Sequence, residues 1–361
     1  MTRKIGILTG GGDAPGLNAV LRAVVKYSAQ LGGWEIWGVH DSFGGLLTEP
    51  PRVSLLSPRA CQGLLQRGGT VIGTSNNTDP FAFPMPGGEK VDRSAQVASV
   101  ARSLGLDGLI CIGGDGTQAL ALRLMQTHGL PVVGVPKTID NDLDATDLTF
   151  GFQSAVDVAT EALDRLHTTA ESHDRVMLLE VMGRDTGHIA LAAGLSGGAD
   201  AILLPELPYS PQRVAAKVLR RKAVGRSFSI VVVAEGALPA VPGEVLSSLA
   251  ERHGRLKAGG GAAQIAMKSL EPWVDAEMRA TVLGHLQRGG SPAPFDRLLA
   301  TRFGVAAVDL IAQGRWGEMV RLRHGEVDGV PIAQAVARNR GVDLHGELMR
   351  TARAVGVEFG G

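Results

Sequence analysis

Glycines that arrive in clusters, each close behind a short apolar run, constrain this chain more than any other feature of its sequence. They fall at 10–12, 44–45, 68–69, 113–114 with 116, 197–198, 259–261 and 289–290. With 49 in 361 residues, glycine is roughly twice its usual ~7% share. A glycine behind a strand-like run marks a tight turn in which backbone can approach a ligand closely. The runs themselves, Ile5–Thr9, Leu109–Ile112, Val132–Val135, Val176–Val181, Ala201–Leu204 and Ile230–Ala234, are rich in Val, Ile and Leu. Such runs suit parallel strands buried on both faces. Helical spacing separates them at Ala19–Ala29, Arg93–Leu104, Ser154–Thr168 and Phe295–Ala312. Strand, glycine turn, helix, repeated, predicts an α/β protein with doubly wound, mostly parallel sheets.

A chain of 361 residues suits two domains. The polar loop Asp140–Asp147 sets the boundary near 150, giving domains 1–150 and 151–361, the first completed by part of 280–320. Residues 78–92, with three prolines and two glycines, read as an irregular surface excursion. Lys plus Arg and Asp plus Glu balance at 36 each. That excludes the basic excess of a general nucleic-acid or membrane-surface binder. Cys61 and Cys111 are the only cysteines, too few for a disulfide framework or a four-cysteine zinc site. No segment reaches the ~20 apolar residues of a membrane span, and the N-terminus lacks a signal-like apolar stretch. The expectation is a cytoplasmic protein with no nucleic-acid or membrane partner.

Five runs carry chemistry. Gly10-Gly11-Gly12-Asp13-Ala14-Pro15-Gly16 follows the first strand and precedes a helix, where N–H groups hold anions, although such a turn also occurs for purely structural reasons. Gly113-Gly114-Asp115-Gly116-Thr117 repeats the design with an acid between glycines. It suits a carboxylate on Mg²⁺ beside phosphate-binding N–H groups, and equally a helix N-cap. Pro136-Lys137-Thr138-Ile139-Asp140-Asn141-Asp142 packs three ionisable groups and a hydroxyl behind a buried strand. One carboxylate there can take a proton from an attacking hydroxyl and the lysine can hold phosphate oxygens. Arg184, in EVMGRDTG, can clamp a transferring phosphate. His285 and Arg288, three apart in GHLQRGG, can reach one phosphate ester, though a histidine in an apolar run is also a common core residue. No GxxxxGK run followed by Ser or Thr occurs, so this is not a P-loop enzyme.

Taken in order, GGGDAPGLN, GGDGT, PKTIDND, EVMGRDTGH, VVVAEG and TVLGHLQRGGSP resemble the 6-phosphofructokinase family, in its long-chain mixed-substrate group. The resemblance spans residues 5 to about 310. It implies two α/β domains, the first binding the phosphoryl donor and the second fructose 6-phosphate, with the active site in the cleft between them. It implies transfer of the γ-phosphate of ATP to the 1-hydroxyl of fructose 6-phosphate, giving fructose 1,6-bisphosphate in glycolysis. Asp140 then matches the catalytic base, Thr138 a contact to substrate and phosphate, and Arg184 the arginine that stabilises the transferred group. Asp115 matches the Mg²⁺ carboxylate, while Gly11, Gly12, Gly114, Gly116 and Thr117 match nucleotide contacts. Ile139, Met182, Gly183, Glu235, Arg279, His285 and Arg288 match positions around the sugar phosphate. Arg175 matches an arginine lent by a neighbouring subunit, which implies a homo-oligomer, dimer or tetramer.

Two departures bear on the donor. Pyrophosphate users of the family usually carry a second Asp after the GGD acid, crowding the place of the ATP α-phosphate; here that residue is Gly116. Lys137, by contrast, stands where the usual bacterial ATP enzymes have glycine, and lysine there is typical of pyrophosphate users. A carboxylate beside a triphosphate is a direct electrostatic penalty, whereas a lysine suits either donor, so ATP is favoured and pyrophosphate is the alternative. The arginine that the family commonly has near 73–77 is replaced by Asn76 and Asn77; either they or Lys137 supply that phosphate contact. Two other classes remain as rivals: a non-catalytic sugar-phosphate-binding regulator, and an NAD-dependent oxidoreductase prompted by the first glycine turn.

Overall fold

The computed structural model describes residues 2–240 and 248–361. From the N-terminus the chain forms β1 (Arg3–Thr9), α1 (Leu17–Leu31), β2 (Trp34–Val39), β3 (Val53–Leu55), β4 (Phe83–Pro84), β5 (Lys90–Val91), α2 (Ser94–Ser103), β6 (Gly108–Gly113), α3 (Asp115–His128), β7 (Val132–Thr138) and β8 (Phe150–Gly151). It continues through α4 (Phe152–Ser172), β9 (Val176–Val181), α5 (His188–Ser196), β10 (Ala201–Leu203), α6 (Pro211–Ala223), β11 (Ser229–Ala234), α7 (Leu249–Gly259), α8 (Ala262–Leu270) and β12 (Met278–Val282). The last elements are α9 (Pro294–Ala312), β13 (Glu318–Arg323), β14 (Glu326–Pro331), α10 (Ile332–Ala335) and α11 (Glu347–Ala354).

These elements build two compact units. The first comprises residues 1–139, 143–153 and 288–339, the second 140–142, 154–287 and 340–361. Unit 1 thus takes in residues 288–339 in addition to its N-terminal stretch. The reason is packing. Helix α9 lies against α1, where Gly304 is so close that a Cβ would meet Ala23 Cβ at 2.8 Å and Val20 O at 2.9 Å. Strand β13 then joins the parallel edge of β7 through Met319 and Gly134. The return of 140–142 and 340–361 to unit 2 has a hydrogen-bonding reason, given below.

Unit 1 holds a sheet in the order β14-β13-β7-β6-β1-β2-β3, with β8 beside β7. Strands β7, β6, β1 and β2 run parallel; β3 and β14 add antiparallel edges. The core strands β6 and β7 are buried along their whole length, as their unbroken apolar runs require. Unit 2 holds a fully parallel sheet in the order β10-β11-β9-β12. The excursion at 78–92 is only a two-stranded ribbon, β4 with β5.

In both sheets the winding reverses at a defined place. From β1 the chain moves to β2 on one side and then to β6 on the other, so unit 1 reverses between β1 and β6. From β9 it moves to β10 and β11 on one side and then to β12 on the other, so unit 2 reverses between β9 and β12. A crevice opens at the carboxyl ends of strands where such a reversal occurs.

Candidate active site

The glycine runs lie at these two reversals. Gly10–Gly12 leaves the end of β1 and Gly113–Thr117 leaves the end of β6, joined by the Gly10 N–H donating to Ile112 O at 2.9 Å. Not every glycine there is open to a ligand. A Cβ on Gly10 or Gly113 would meet the Thr117 side chain at 2.6 and 2.3 Å, so packing accounts for both. The Gly11 N–H is engaged by Ser75 O at 3.1 Å, and Thr74 donates to Gly11 O at 2.6 Å. This brings the 73–77 segment, with Asn76 and Asn77, beside the first glycine turn; Asn76 Oδ1 is 3.9 Å from where a Gly11 Cβ would stand.

Gly116 is different. A Cβ there would meet nothing within 4 Å, and its backbone is ordinary helix, so the fold makes no demand for glycine. The N-cap position of α3 is Gly114, and Asp115 is the first residue of the helix. Asp115 opens the first turn of α3, whose N–H groups have no carbonyl partner within the helix.

Lys137 is 3% exposed at the end of β7, and its Nζ donates to Gly12 O. Arg288 comes to the same turn: its Nη1 donates to Asp13 O at 2.9 Å, and a Cβ on Gly12 would strike its guanidinium. Gly11, Gly12, Asn76, Lys137 and Arg288 are therefore gathered in unit 1, with Thr138 and Ile139 following on β7 and just beyond it.

In unit 2, residues 182–187 leave the end of β9 and residues 283–287 the end of β12. Gln287 Oε1, fully buried, accepts from Met182 N at 3.4 Å across the reversal. Glu235, behind β11, accepts the N–H groups of Gly183 at 3.2 Å and Arg184 at 2.7 Å. Arg184 has φ +55 and Asn141 φ +53, a left-handed backbone that costs energy outside glycine and clusters at functional sites. Asp185 stands 3.9 Å from Arg184 Nε and 2.8 Å from His253 on α7. Asp140 is 8% exposed, and Thr186 Oγ1 donates to its carbonyl at 3.3 Å.

Two sequence-selected residues do not join this group. Arg175 precedes the opposite end of β9, and Arg279 pairs in register with Met177 at that same end. The six strand residues between, at ~3.3 Å each, put about 20 Å between Arg175 and the Met182–Arg184 loop. Arg175 and Arg279 instead share Glu277: Arg175 Nε lies 2.7 Å from one carboxylate oxygen and Arg279 Nη2 contacts the other. These arginines hold the Glu277 carboxyl below the usual range.

A family model described as phosphofructokinase matches residues 4–311. The chain belongs to the phosphofructokinase family. An ATP-dependent 6-phosphofructokinase of Chloroflexus aurantiacus is 53% identical over 359 residues, 99% of this chain and 98% of its own. A pyrophosphate–fructose 6-phosphate 1-phosphotransferase of Streptomyces coelicolor is 49% identical over 341 residues, 94% and 96% of the two chains. The crystal structure of Pichia pastoris phosphofructokinase in the T-state superposes with a TM-score of 0.77 at 30% identity, covering 93% of this chain and 36% of that one. This phosphofructokinase chain therefore spans about a third of the yeast chain it matches.

Sequence reasoning passed over Thr186, Gln287 and Asp185, which lie inside quoted motifs and were legible there as neighbours of the selected residues. It also passed over His253, which contacts Asp185; Glu206, which accepts the Gly187 N–H at 3.0 Å; and Arg340, which donates to Asn141 O at 2.9 Å. These lie in no motif and become visible only through their contacts.

Proposed function

We propose that this phosphofructokinase transfers the γ-phosphate of ATP to the 1-hydroxyl of fructose 6-phosphate. The observation that carries the reading is the placement of each loop set at the winding reversal of its own sheet, with Asp140 three residues beyond the lysine that closes the first glycine turn. Asp140 takes the proton of the 1-hydroxyl as its oxygen attacks the γ-phosphorus, and ADP leaves. Arg184, its N–H fixed by Glu235, meets the charge on the transferring group. Gly12, Gly114 and Thr117 line the donor phosphates together with Lys137 and Asn76, while Met182, Gly183, Glu235 and His285 hold the sugar phosphate.

Among the described residues no group of three metal-ligating side chains gathers. That donor set fits Mg²⁺ held by one carboxylate, Asp115, with the remaining ligands from phosphate and water, as is usual for this ion. Bound there, Mg²⁺ would neutralise phosphate charge.

Arg175, about 20 Å from the Met182–Arg184 loop of its own chain, and Arg279, which pairs with Met177 at that same end of β9, are assigned to a neighbouring subunit's sugar phosphate, which makes the enzyme a homo-oligomer. No described helix is long and apolar enough to cross a membrane, and a cytoplasmic location follows the glycolytic reaction.

Assays with fructose 6-phosphate and Mg²⁺, one with ATP and one with pyrophosphate, test the donor; ATP is expected to support turnover and pyrophosphate to fail. Asp140→Asn is expected to lower kcat by ~10²–10⁴-fold, the usual worth of a general base. A kcat within a few-fold of wild type would remove Asp140 from that role. Lys137 and the 49% identity to a pyrophosphate enzyme favour the second reading, pyrophosphate as donor. A pyrophosphate-only assay result would establish it.

A further inference from the structure

Three consecutive carbonyls, those of Asp140, Asn141 and Asp142, are each held from within unit 2. The single hydroxyl hydrogen of Thr186 is shared between Asp140 O at 3.3 Å and Gly183 O at 3.1 Å. Arg340 Nη2 donates to Asn141 O at 2.9 Å, and the Arg340 main-chain N–H donates to Asp142 O at 2.7 Å. These bonds explain why so short a segment leaves the unit that β7 belongs to.

Arg340 is itself pinned. Its carbonyl accepts from His188 Nε2 at 2.9 Å, at the first position of α5. Two residues later the Val342 N–H donates to Glu206 Oε1 at 2.8 Å, the same oxygen that receives the Gly187 N–H at 3.0 Å. The 340–342 segment is thus tied to the 187–188 stretch at the Arg340 carbonyl and, through Glu206, at Val342. Peptide groups are planar, so binding three successive carbonyls fixes three successive planes and with them both dihedrals of Asn141 and Asp142, the two residues that follow Asp140. Asn141 in the left-handed region needs such outside support.

We infer that Arg340 is a positioning residue for the reaction: by holding the carbonyls of Asn141 and Asp142 it aims the Asp140 carboxylate at the attacking hydroxyl. The inference rests on the assignment of Asp140 as base. Arg340 touches no reacting atom in it. With the main-chain bond retained, loss of the guanidinium frees the Asn141–Asp142 peptide plane to rotate, and the carboxylate moves while the residues that bind substrate stay in place.

The test is steady-state kinetics and thermal unfolding of full-length Arg340→Ala, Arg340→Lys and Asp140→Asn. Arg340→Ala is expected to lose ~10²-fold in kcat, the cost of about 1 Å of misplacement. KM for fructose 6-phosphate and ATP should stay within a few-fold of wild type and the unfolding midpoint should be little changed. Lysine, which can still donate to Asn141 O, is expected to restore most of the loss, and added guanidinium below denaturing concentrations should partly rescue Arg340→Ala. A wild-type kcat in Arg340→Ala overturns the inference, as does a loss that tracks a lowered unfolding midpoint and responds to neither lysine nor guanidinium. Should the alanine variant not fold, Arg340→Gln is judged by the same criteria. An active Asp140→Asn would instead strike the assignment of the base, so the two failures are distinguishable.

Discussion

Gly116 is a residue whose side chain is missing for no structural reason. A Cβ would meet nothing, no left-handed angle requires glycine, and glycine in a helix costs up to ~1 kcal/mol relative to alanine. What it leaves is space and neutrality beside Asp115, in the first turn of α3. An added carboxylate would gain from the helix N-terminus, so Gly116→Asp is expected to fold normally. It is also expected to reduce kcat/KM for ATP by at least ~10-fold through repulsion of the polyphosphate, with KM for fructose 6-phosphate little changed. Unchanged ATP kinetics in a folded Gly116→Asp would show that residue 116 does not face the donor. Lys137 carries a different burden: its Nζ ties Gly12 O to β7, so its presence reflects the turn's own architecture as well as any phosphate. Residue identity singled out Asp115, Lys137, Asp140 and Arg184 as candidates for chemistry. It could not reveal Arg340, an arginine among other surface-composition residues whose partners lie 199 and 198 positions away, at Asn141 and Asp142.

At the scale of elements, the buried strands were legible because burial on both faces leaves an unbroken apolar run, as in β6, β9 and β11. The β13–β14 hairpin was not. Met319 and Val320 are adjacent and Gly329 and Pro331 interrupt its second strand, so it shows neither a long apolar run nor clean alternation; it lies at an edge, and its turn at His324–Gly325 carries φ +51 and +84 without an Asn-Gly or Asp-Gly signal. Helix α5 shows how an element end can set a protonation state. Burial pushes the His188 pKa below its ordinary 6.5, helped by the Arg340 charge and opposed by the Arg340 carbonyl and Glu206. Unfolded, the ring takes a proton below about 6.5; folded, it does so only at lower pH. Its contribution to stability is therefore complete above 6.5 and is lost as pH falls from there through the folded value. His188→Gln, which keeps a donor for Arg340 O, should lack that loss. Urea midpoints of wild type and variant are expected to converge, or cross in the variant's favour, as pH drops from 7.5 toward 5. Parallel curves would mean that His188 is not the titrating group.

For the whole molecule, the order of motifs does not disclose the bounds 288–339 in unit 1, or 140–142 and 340–361 in unit 2, because those bounds depend on packing between distant segments. The same holds for the two arginines. In the sequence Arg279 sits six residues before His285 and looks like its companion; in register it belongs with Arg175 at the far end of the β9–β12 pair. If that end serves a partner, each active site draws its base from one chain and its Arg175 from another. Arg175→Ala and Asp140→Asn are then each inactive alone for different reasons, and a mixed assembly rebuilds one intact site from the two. Random reassociation into dimers makes half of them hybrid with one good site of two, so about a quarter of wild-type activity is expected to return. The measurement is turnover after the two variants are mixed, dissociated and reassociated, with each variant treated alone as the control. Arginine serving its own chain gives no recovery, since every site in the mixture would then keep one lesion. Mixing Arg279→Ala with Asp140→Asn should recover activity in the same way, whereas Arg175→Ala with Arg279→Ala should not, because both lesions would fall on the lent side of every site.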